Sequence, residues 1–433
     1  MPIPFKEIIT GIITIGGLIG GGAKSEKDKV LKELQDLRKD RKRDKITEEE
    51  YQQRRTEILD EAAKLRILTA AETTSLEHDI QLEPYEVMPV ILSDGQVADW
   101  GHVYLEAANY YTNTRGSGAV VFVIDTAGTF SDHPDLVGNC LPHLNRNITN
   151  SPARDAYGHG THCAGIVAAT DNGIGVIGIA PEAKLVALKA LDDSGGGSYA
   201  WIADQIRYAA DLPATAVDGR QKIISMSLGG PAGVPCPSIL RDAIDYAIEK
   251  DCIVVAAAGN SGYTGRGSTV GAPGNYDPVI TVASTDRPGS SRSSFSSGGR
   301  EVDIAGPGGD IYSTHHSGGY AKLSGTSMAC PQIAGVLALL VSSFPRELDM
   351  TAQDWAVKML VDVATDILSP GTDHESGAGI PRLGKVVPPS WPVDPEPAPA
   401  PVDPEPIPEG WRPAIIRVTL VDDEVITEIK PLK

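Results

Sequence analysis

Basic residues are scarce in this 433-residue chain, 38 Lys and Arg against 57 Asp and Glu, for a net charge of −19. Nucleic-acid binding needs clustered cations on phosphates, so that class of partner is not expected. An acidic surface favours solubility and cation binding instead. Cysteine is sparse as well: five residues, an odd number at irregular spacing, make no disulfide framework. No Cys-x-x-Cys occurs, which removes the common zinc-ligand spacing. Cys163 and Cys330 read as small packing residues, while Cys140, Cys236 and Cys252 leave room for one disulfide without selecting a pair. Aromatic residues make up only 5%, whereas the 46 Gly and 32 Pro suit a loop-rich fold with tails.

The apolar, Gly-rich residues 8–23 fall short of the ~20 residues a membrane-crossing helix needs. With Lys6 offset by Glu7 and no small-x-small cleavage site, they also make a poor export signal. Membrane or partner anchor, atypical signal and buried arm all stay open. The localisation, membrane-associated or secreted against cytoplasmic, stays open with them. Residues 24–68 are dense in charge, with Leu31, Leu34 and Leu37 at helical spacing and Thr47 and Glu50 as a capping box. They read as a helical hairpin for self-association or as a solvated spacer. Residues 69–99 read as a linker. Residues 388–413 are Pro-rich and repeat Val-Asp-Pro-Glu-Pro, an extended polyproline spacer. Residues 414–433 alternate around Asp422-Asp423 and read as a β-hairpin.

Between these lies a large alternating segment, residues 100–387. Apolar runs at 120–124, 185–190, 223–227, 253–257 and 279–283 read as buried parallel strands. Helical patterns at 160–169, 199–210, 239–250 and 328–343 separate them. Strand–helix alternation predicts an α/β, doubly wound, mostly parallel sheet flanked by helices.

Three stretches in this segment carry chemistry. Val120-Val-Phe-Val-Ile-Asp125 ends a buried strand on an acid, at the sheet edge where α/β folds place their sites. Asp155-Ala-Tyr-Gly-His159-Gly-Thr-His162-Cys-Ala-Gly165 puts a His at the start of a small-residue helix. Ser324-Gly-Thr-Ser-Met-Ala-Cys-Pro331 places Ser327 before a long apolar helix, whose unpaired N–H groups and dipole favour a developing oxyanion. Each has a bland counterpart: a turn-capping Asp, a structural His, an ordinary helix start. The order acid, His, Ser on three distinctive frames outweighs them.

With Ser225-Met-Ser-Leu-Gly-Gly230 and Ala256-Ala-Ala-Gly-Asn260-Ser-Gly262, these motifs make residues 100–385 resemble a subtilisin-like serine protease, or subtilase. Val-Ile-Asp125-Thr and Cys163 lean towards the proteinase K branch. The resemblance implies a serine endopeptidase acting on proteins or peptides, with Asp125, His159 and Ser327 as a catalytic triad and Asn260 in the oxyanion hole. It implies that Ser227, Leu228 and Gly229, with Gly195, Gly196 and Gly197, pair with an extended substrate. Ala257, Ala258 and Gly259, with Gly271 at the base, would line a pocket for uncharged, medium to large apolar side chains before the cleaved bond. It also implies a structural Ca²⁺ at Asp135, Thr170, Asn172, Ile174 and Val176, and a weaker cation site at Asp303 with the loop 274–279. His162 is expected to be structural.

The chain departs from the family pattern at Ala127 (usually Gly), Ser225 (commonly Asn) and Gln332 (frequently His). Ala127 puts the orientation of Asp125 in question. The alternating-strand pro-domain of secreted relatives is not legible before residue 100. Leu82-Glu-Pro-Tyr85 instead fits the short inhibitory extension of intracellular relatives, or a plain linker. A different class of function, an inactive protease fold used as a tethered binding module, is the alternative reading.

Overall fold

A computed structural model describes residues 96–385, apart from 288, 290, 347 and 348, together with residue 54 and the backbone strands 80–81, 88–89, 414–421 and 424–431. The segments expected at 8–23, 24–68 and 388–413 lie outside the described residues, Arg54 aside.

In chain order the strands that matter are β1 (Ile80–Gln81), β2 (Met88–Pro89), β3 (Ala119–Asp125), β4 (Arg146–Asn147), β5 (Lys184–Lys189), β6 (Gly196–Gly197), β7 (Gln221–Met226), β8 (Ile253–Ala257), β9 (Ile280–Asp286), β10 (Ser291–Arg292), β11 (Ile304–Pro307), β12 (Ile311–His315) and β13 (Gly319–Leu323). The helices are α1 (Trp100–Tyr104), α2 (Ala107–Tyr110), α3 (His159–Ala168), α4 (Tyr199–Asp211), α5 (Ser238–Glu249), α6 (Thr326–Ser343) and α7 (Ala352–Val363). The five expected strands and four expected helices are all present, and β3 is buried along its whole length, as its unbroken apolar run requires.

The main sheet runs β10-β9-β8-β7-β3-β5-β4, with β11 added parallel to β9. All neighbours are parallel except β10. The chain steps from β3 outward to β5 on one side and to β7 on the other. That reversal is the topological switch point where α/β sheets open a crevice at the carboxyl ends of their strands.

One face of the sheet packs on α3, α6 and α7, the other on α4 and α5, each over its own apolar core. α6 is apolar enough to cross a membrane, but most of it is buried among these strands. Leu337, Leu339 and Leu340 are all fully excluded from solvent there. Truncating such a side chain costs about 2–5 kcal/mol, so α6 is held in place by its whole length rather than by its first turn. Outside the main sheet, β12, β13 and β2 form a small antiparallel sheet, and strands Ala414–Val421 and Glu424–Pro431 pair with each other as a hairpin. All five cysteines are free thiols, so the room left for a disulfide is not used.

Candidate active site

Asp125 closes β3 at the switch point and is fully buried. Its Oδ1 accepts the backbone N–H of Thr126 at 2.7 Å, which fixes the carboxylate plane. Both oxygens face Nδ1 of His159, at 2.9 and 3.0 Å. The Ala127 departure therefore does not turn the acid away: Ala127 is buried against Gly160, and the turn closes normally.

His159 is the first residue of α3, and the preceding backbone explains how it gets there. Gly158 takes φ +94°, a left-handed conformation that favours glycine. A side chain there would also collide with the His315 ring, 2.3 Å from a Cβ. Asp155 then staples the turn. Its Oδ1 accepts from Gly158 N at 2.7 Å, and its Oδ2 accepts from Thr161 N at 2.8 Å and Thr161 Oγ1 at 2.7 Å. Burial works to lower the His159 pKa, but the Asp125 charge and hydrogen bond outweigh it and hold the pKa well above the ordinary value. Cys163 lies beneath, its Sγ 3.8 Å from His159 Nδ1 and donating to the Ser327 carbonyl at 3.4 Å. Burial raises the Cys163 pKa, so it stays a thiol. His162 faces the other way, with Nε2 between the carbonyls of Ile311 and Ala321, both at 3.1 Å, and a pKa lowered to about 3 by burial. It is a neutral structural ring.

Ser327 stands in the first turn of α6 and is half-buried. The turn is anchored by Asn260, whose Oδ1 accepts from Thr326 N and Thr326 Oγ1, both at 3.0 Å. With its oxygen so engaged, the amide nitrogen of Asn260 is left for another acceptor near Ser327. Ser227, just past β7, meets Ser327 directly. Ser327 Oγ donates to the Ser227 carbonyl at 3.0 Å, and Ser227 Oγ donates to the Ser327 carbonyl at 2.8 Å.

The other sequence-marked segments gather around this point. Ala257, Ala258 and Leu228 are buried, and Gly271 N donates to the Ala258 carbonyl at 3.2 Å. A Cβ on Gly271 would sit 2.2 Å from the Gly230 carbonyl, so glycine is what lets these two backbone segments pass so closely. Gly259 takes φ +105° between Ala258 and Asn260. Gly196–Gly197 form β6, but their partner is the chain itself: Ile80 pairs antiparallel with Gly197, and Gln81 with Gly196. Further along, Met88 and Pro89 pair with Lys322 and Ala321 of β13, shortly before Ser327. Leu82-Glu-Pro-Tyr85 lies between these pairings, outside the described residues.

Asp135 is fully buried, and no Lys or Arg among the described residues forms an ion pair with it. Its Oδ2 accepts from Val176 N at 2.9 Å and Tyr320 Oη at 2.8 Å, and its Oδ1 faces Asn172 Nδ2 at 3.2 Å. Gln96 reaches into the same loop, its Nε2 on the carbonyls of Thr170 at 2.6 Å and Val176 at 2.9 Å. Ile174 N is held by Asn172 Oδ1 at 3.1 Å. Asp303 accepts from Thr281 N at 2.8 Å. Burial raises its pKa to about 7 against the opposing pull of that N–H, and the nearby Asp277 charge adds to the rise.

Sequence reasoning missed Gln96, Tyr320 and the staple role of Asp155. Gln96 and Tyr320 approach Asp135 from 39 residues before and 185 after, and no local pattern marks either. Asp155 was visible as a turn acid three residues before Gly158, a signal that could have been read.

The profile of the subtilase family matches residues 116–379. Thermitase of Thermoactinomyces vulgaris is 44% identical over 244 residues, which are 56% of this chain and 82% of thermitase. An intracellular serine protease of Paenibacillus polymyxa is 41% identical over 288 residues, 63% of this chain and 82% of that one. Subtilisin E of Bacillus subtilis (strain 168) is 43% identical over 230 residues, 53% of this chain and 57% of the relative. The crevice at the switch point, the order of the motifs that line it and these likenesses agree, and the chain belongs to the subtilase family, as a subtilisin-like serine endopeptidase.

Proposed function

We propose that this endopeptidase cuts peptide bonds through an acyl-enzyme on Ser327, with His159 as the base, Asp125 as its orienting acid and Asn260 as the oxyanion donor. The observation that carries this reading is the buried contact of Asp125 with His159 Nδ1 beside Ser327. With Nδ1 held by the carboxylate, Nε2 is the nitrogen that would take the hydroxyl proton. Ser327 Oγ then adds to the substrate carbonyl. Asn260 Nδ2 and the Ser327 N–H, at the positive end of α6, stabilise the oxyanion. The imidazolium returns its proton to the departing amine, and water repeats the sequence on the ester.

Substrate recognition follows from backbone geometry. An extended peptide would lie between Gly195–Gly197 and Ser227–Gly229 and pair with both. Its side chain before the cleaved bond would enter the space among Ala257, Ala258, Gly259 and Gly271. None of these four residues carries a charge, so uncharged, medium to large apolar side chains would fit best. In support, the chain's own β1 already pairs with β6 as a peptide strand would. The segment around 80–89 thus reads as an inhibitory extension, held at one end on the substrate strand and at the other on β13. Deleting residues 1–90 should then raise turnover of a small peptide substrate, and an unchanged rate would defeat this part of the reading.

The residues around Asp135 fit a structural Ca²⁺. Among the described residues no Lys or Arg pairs with the carboxylate, and the carbonyls of Thr170, Ile174 and Val176 share its loop with the amides of Gln96 and Asn172. Turning each amide over presents an oxygen, giving the hard ligand set calcium prefers. Asp303 with the loop 274–279 would hold a weaker cation.

The test is labelling by a fluorophosphonate probe, comparing the native chain with Ser327→Ala, with and without a calcium chelator. Labelling that vanishes in the variant establishes the nucleophile. A folded native chain that stays unlabelled in calcium, also after removal of residues 1–90, would defeat the reading in favour of an inactive binding module.

A further inference from the structure

Lys189 ends β5 in register with Asp125 on β3, and it is fully buried. A lysine ammonium gives up strong hydration when it is buried, and so is almost never found there unless its partners serve it well. Here the ammonium donates to the Thr126 carbonyl and to Asp193 Oδ1, the latter at 3.0 Å. Each partner belongs to a different half of the site.

Thr126 follows Asp125, and its Oγ1 accepts from Gly160 N at 2.9 Å, next to His159. Asp193 sits in the loop that leads into β6. There Asp192 N donates to the Gly196 carbonyl at 2.8 Å, and Asp192 Oδ1 accepts from Ser194 N at 2.8 Å and Gly196 N at 3.2 Å. Loop and acid also share a root, since the Asp125 carbonyl accepts from Ala190 N at 3.0 Å and Leu191 N at 3.1 Å.

We infer that Lys189 and Asp193 are a positioning pair: the buried ammonium ties the turn behind Asp125 to the loop that carries Gly196–Gly197. The pair fixes the height of the substrate strand over the reacting atoms. Its effect is therefore felt by peptides long enough to reach that strand. This rests on the reading above that Gly195–Gly197 pairs with substrate. Asp193 is 31% exposed, so its carboxylate can turn to water if its partner is lost.

The test compares two chromogenic substrates that share the residue before the cleaved bond: a blocked single amino acid and a blocked tetrapeptide. Rates are taken, per fluorophosphonate-titrated site, on the full chain and after removal of residues 1–90, since β1 itself pairs with β6. In Asp193→Ala the ratio of tetrapeptide to single-residue kcat/KM should fall tenfold or more, mostly through the KM of the tetrapeptide. Asp193→Asn, which keeps an oxygen for the ammonium, should recover part of that loss. Should Asp193→Ala not fold, Lys189→Met makes the same comparison: Asp193 can turn to water, and the cost that remains is the Thr126 carbonyl left without its donor. Parallel losses on both substrates, or no loss on either, would overturn the pairing while leaving the protease intact. A folded chain that stays unlabelled in calcium, also after removal of residues 1–90, would overturn both readings together.

Discussion

Ser327 and Ser227 hold each other through two hydrogen bonds, each hydroxyl donating to the other's backbone carbonyl, at 3.0 and 2.8 Å. The proposed nucleophile is thereby held against the strand proposed to receive the substrate, and its hydroxyl must leave that carbonyl to react. Ser227→Ala removes one bond of the pair, worth about 1 kcal/mol, which is about fivefold in rate. Fluorophosphonate labelling of the variant should slow by about that factor with the melting temperature little changed. Unaltered labelling would show that the pair plays no part.

The pH profile should report the Asp125–His159 pair. A raised pKa keeps the imidazole protonated over a wider range, so the neutral base appears only at higher pH. The acidic limb of kcat/KM should therefore lie above pH 6.5, the ordinary histidine value. In Asp125→Asn the cation loses its partner while burial, which lowers the pKa, remains; the limb should move to lower pH. Loss of the orienting carboxylate should also cut kcat by about 10⁴. A limb that stays in place would contradict the assignment.

Removing the oxyanion donor should separate binding from chemistry. Asn260→Ala should lower kcat by about 10²–10³ with little change in KM, a magnitude carried over from the equivalent donor of subtilisin rather than derived from this chain. A change in KM alone would mean that Asn260 only shapes the turn through Thr326.

Gly271→Ala should displace the base of the proposed side-chain pocket, since the new Cβ falls 2.2 Å from the Gly230 backbone carbonyl and one of the two segments must give way. A displaced wall disfavours large side chains more than small ones, and one methylene of fit is worth about 10–200-fold. Phenylalanyl substrates should lose at least tenfold in kcat/KM relative to alanyl ones; equal losses would place the pocket elsewhere.

Two cation predictions differ in sign with pH. A saturating Ca²⁺ at 100 times its Kd stabilises by about 2.7 kcal/mol, which is about 5–10 °C in melting temperature for a domain of this size. Chelation should lower the melting temperature by that much in the native chain and not in Asp135→Asn. Asp303, with its pKa raised from 3.8 to about 7, is the converse case. Without a cation its contribution is fully present below pH 3.8, is lost as pH rises to about 7, and is flat above. Asp303→Asn should flatten that slope in a denaturant titration across pH 4–8. An unaltered slope would show that another group sets it.

What the sequence by itself determined is local. An apolar run such as 119–124, short and rich in Val and Ile, reads as a strand buried on both faces. A Gly–His or Thr–Ser pair before a run of small residues reads as a helix start. These rules suffice for the main strands, the long helices, the family and the chain order of Asp125, His159 and Ser327. The β12–β13 hairpin escaped them because its strands are short; α7, amphipathic and capped by Thr351, carried a signal that could have been read.

The tertiary structure decided what depends on distance. Asp125 meets His159 across 34 residues, and Ser227 meets Ser327 across 100. Tyr320 reaches Asp135 across 185, and Lys189 joins two loops that no motif connects. A backbone pattern records the conformation of its own neighbours through sterics and periodicity. It has no means of recording which distant carbonyl or carboxylate folding will bring within 3 Å.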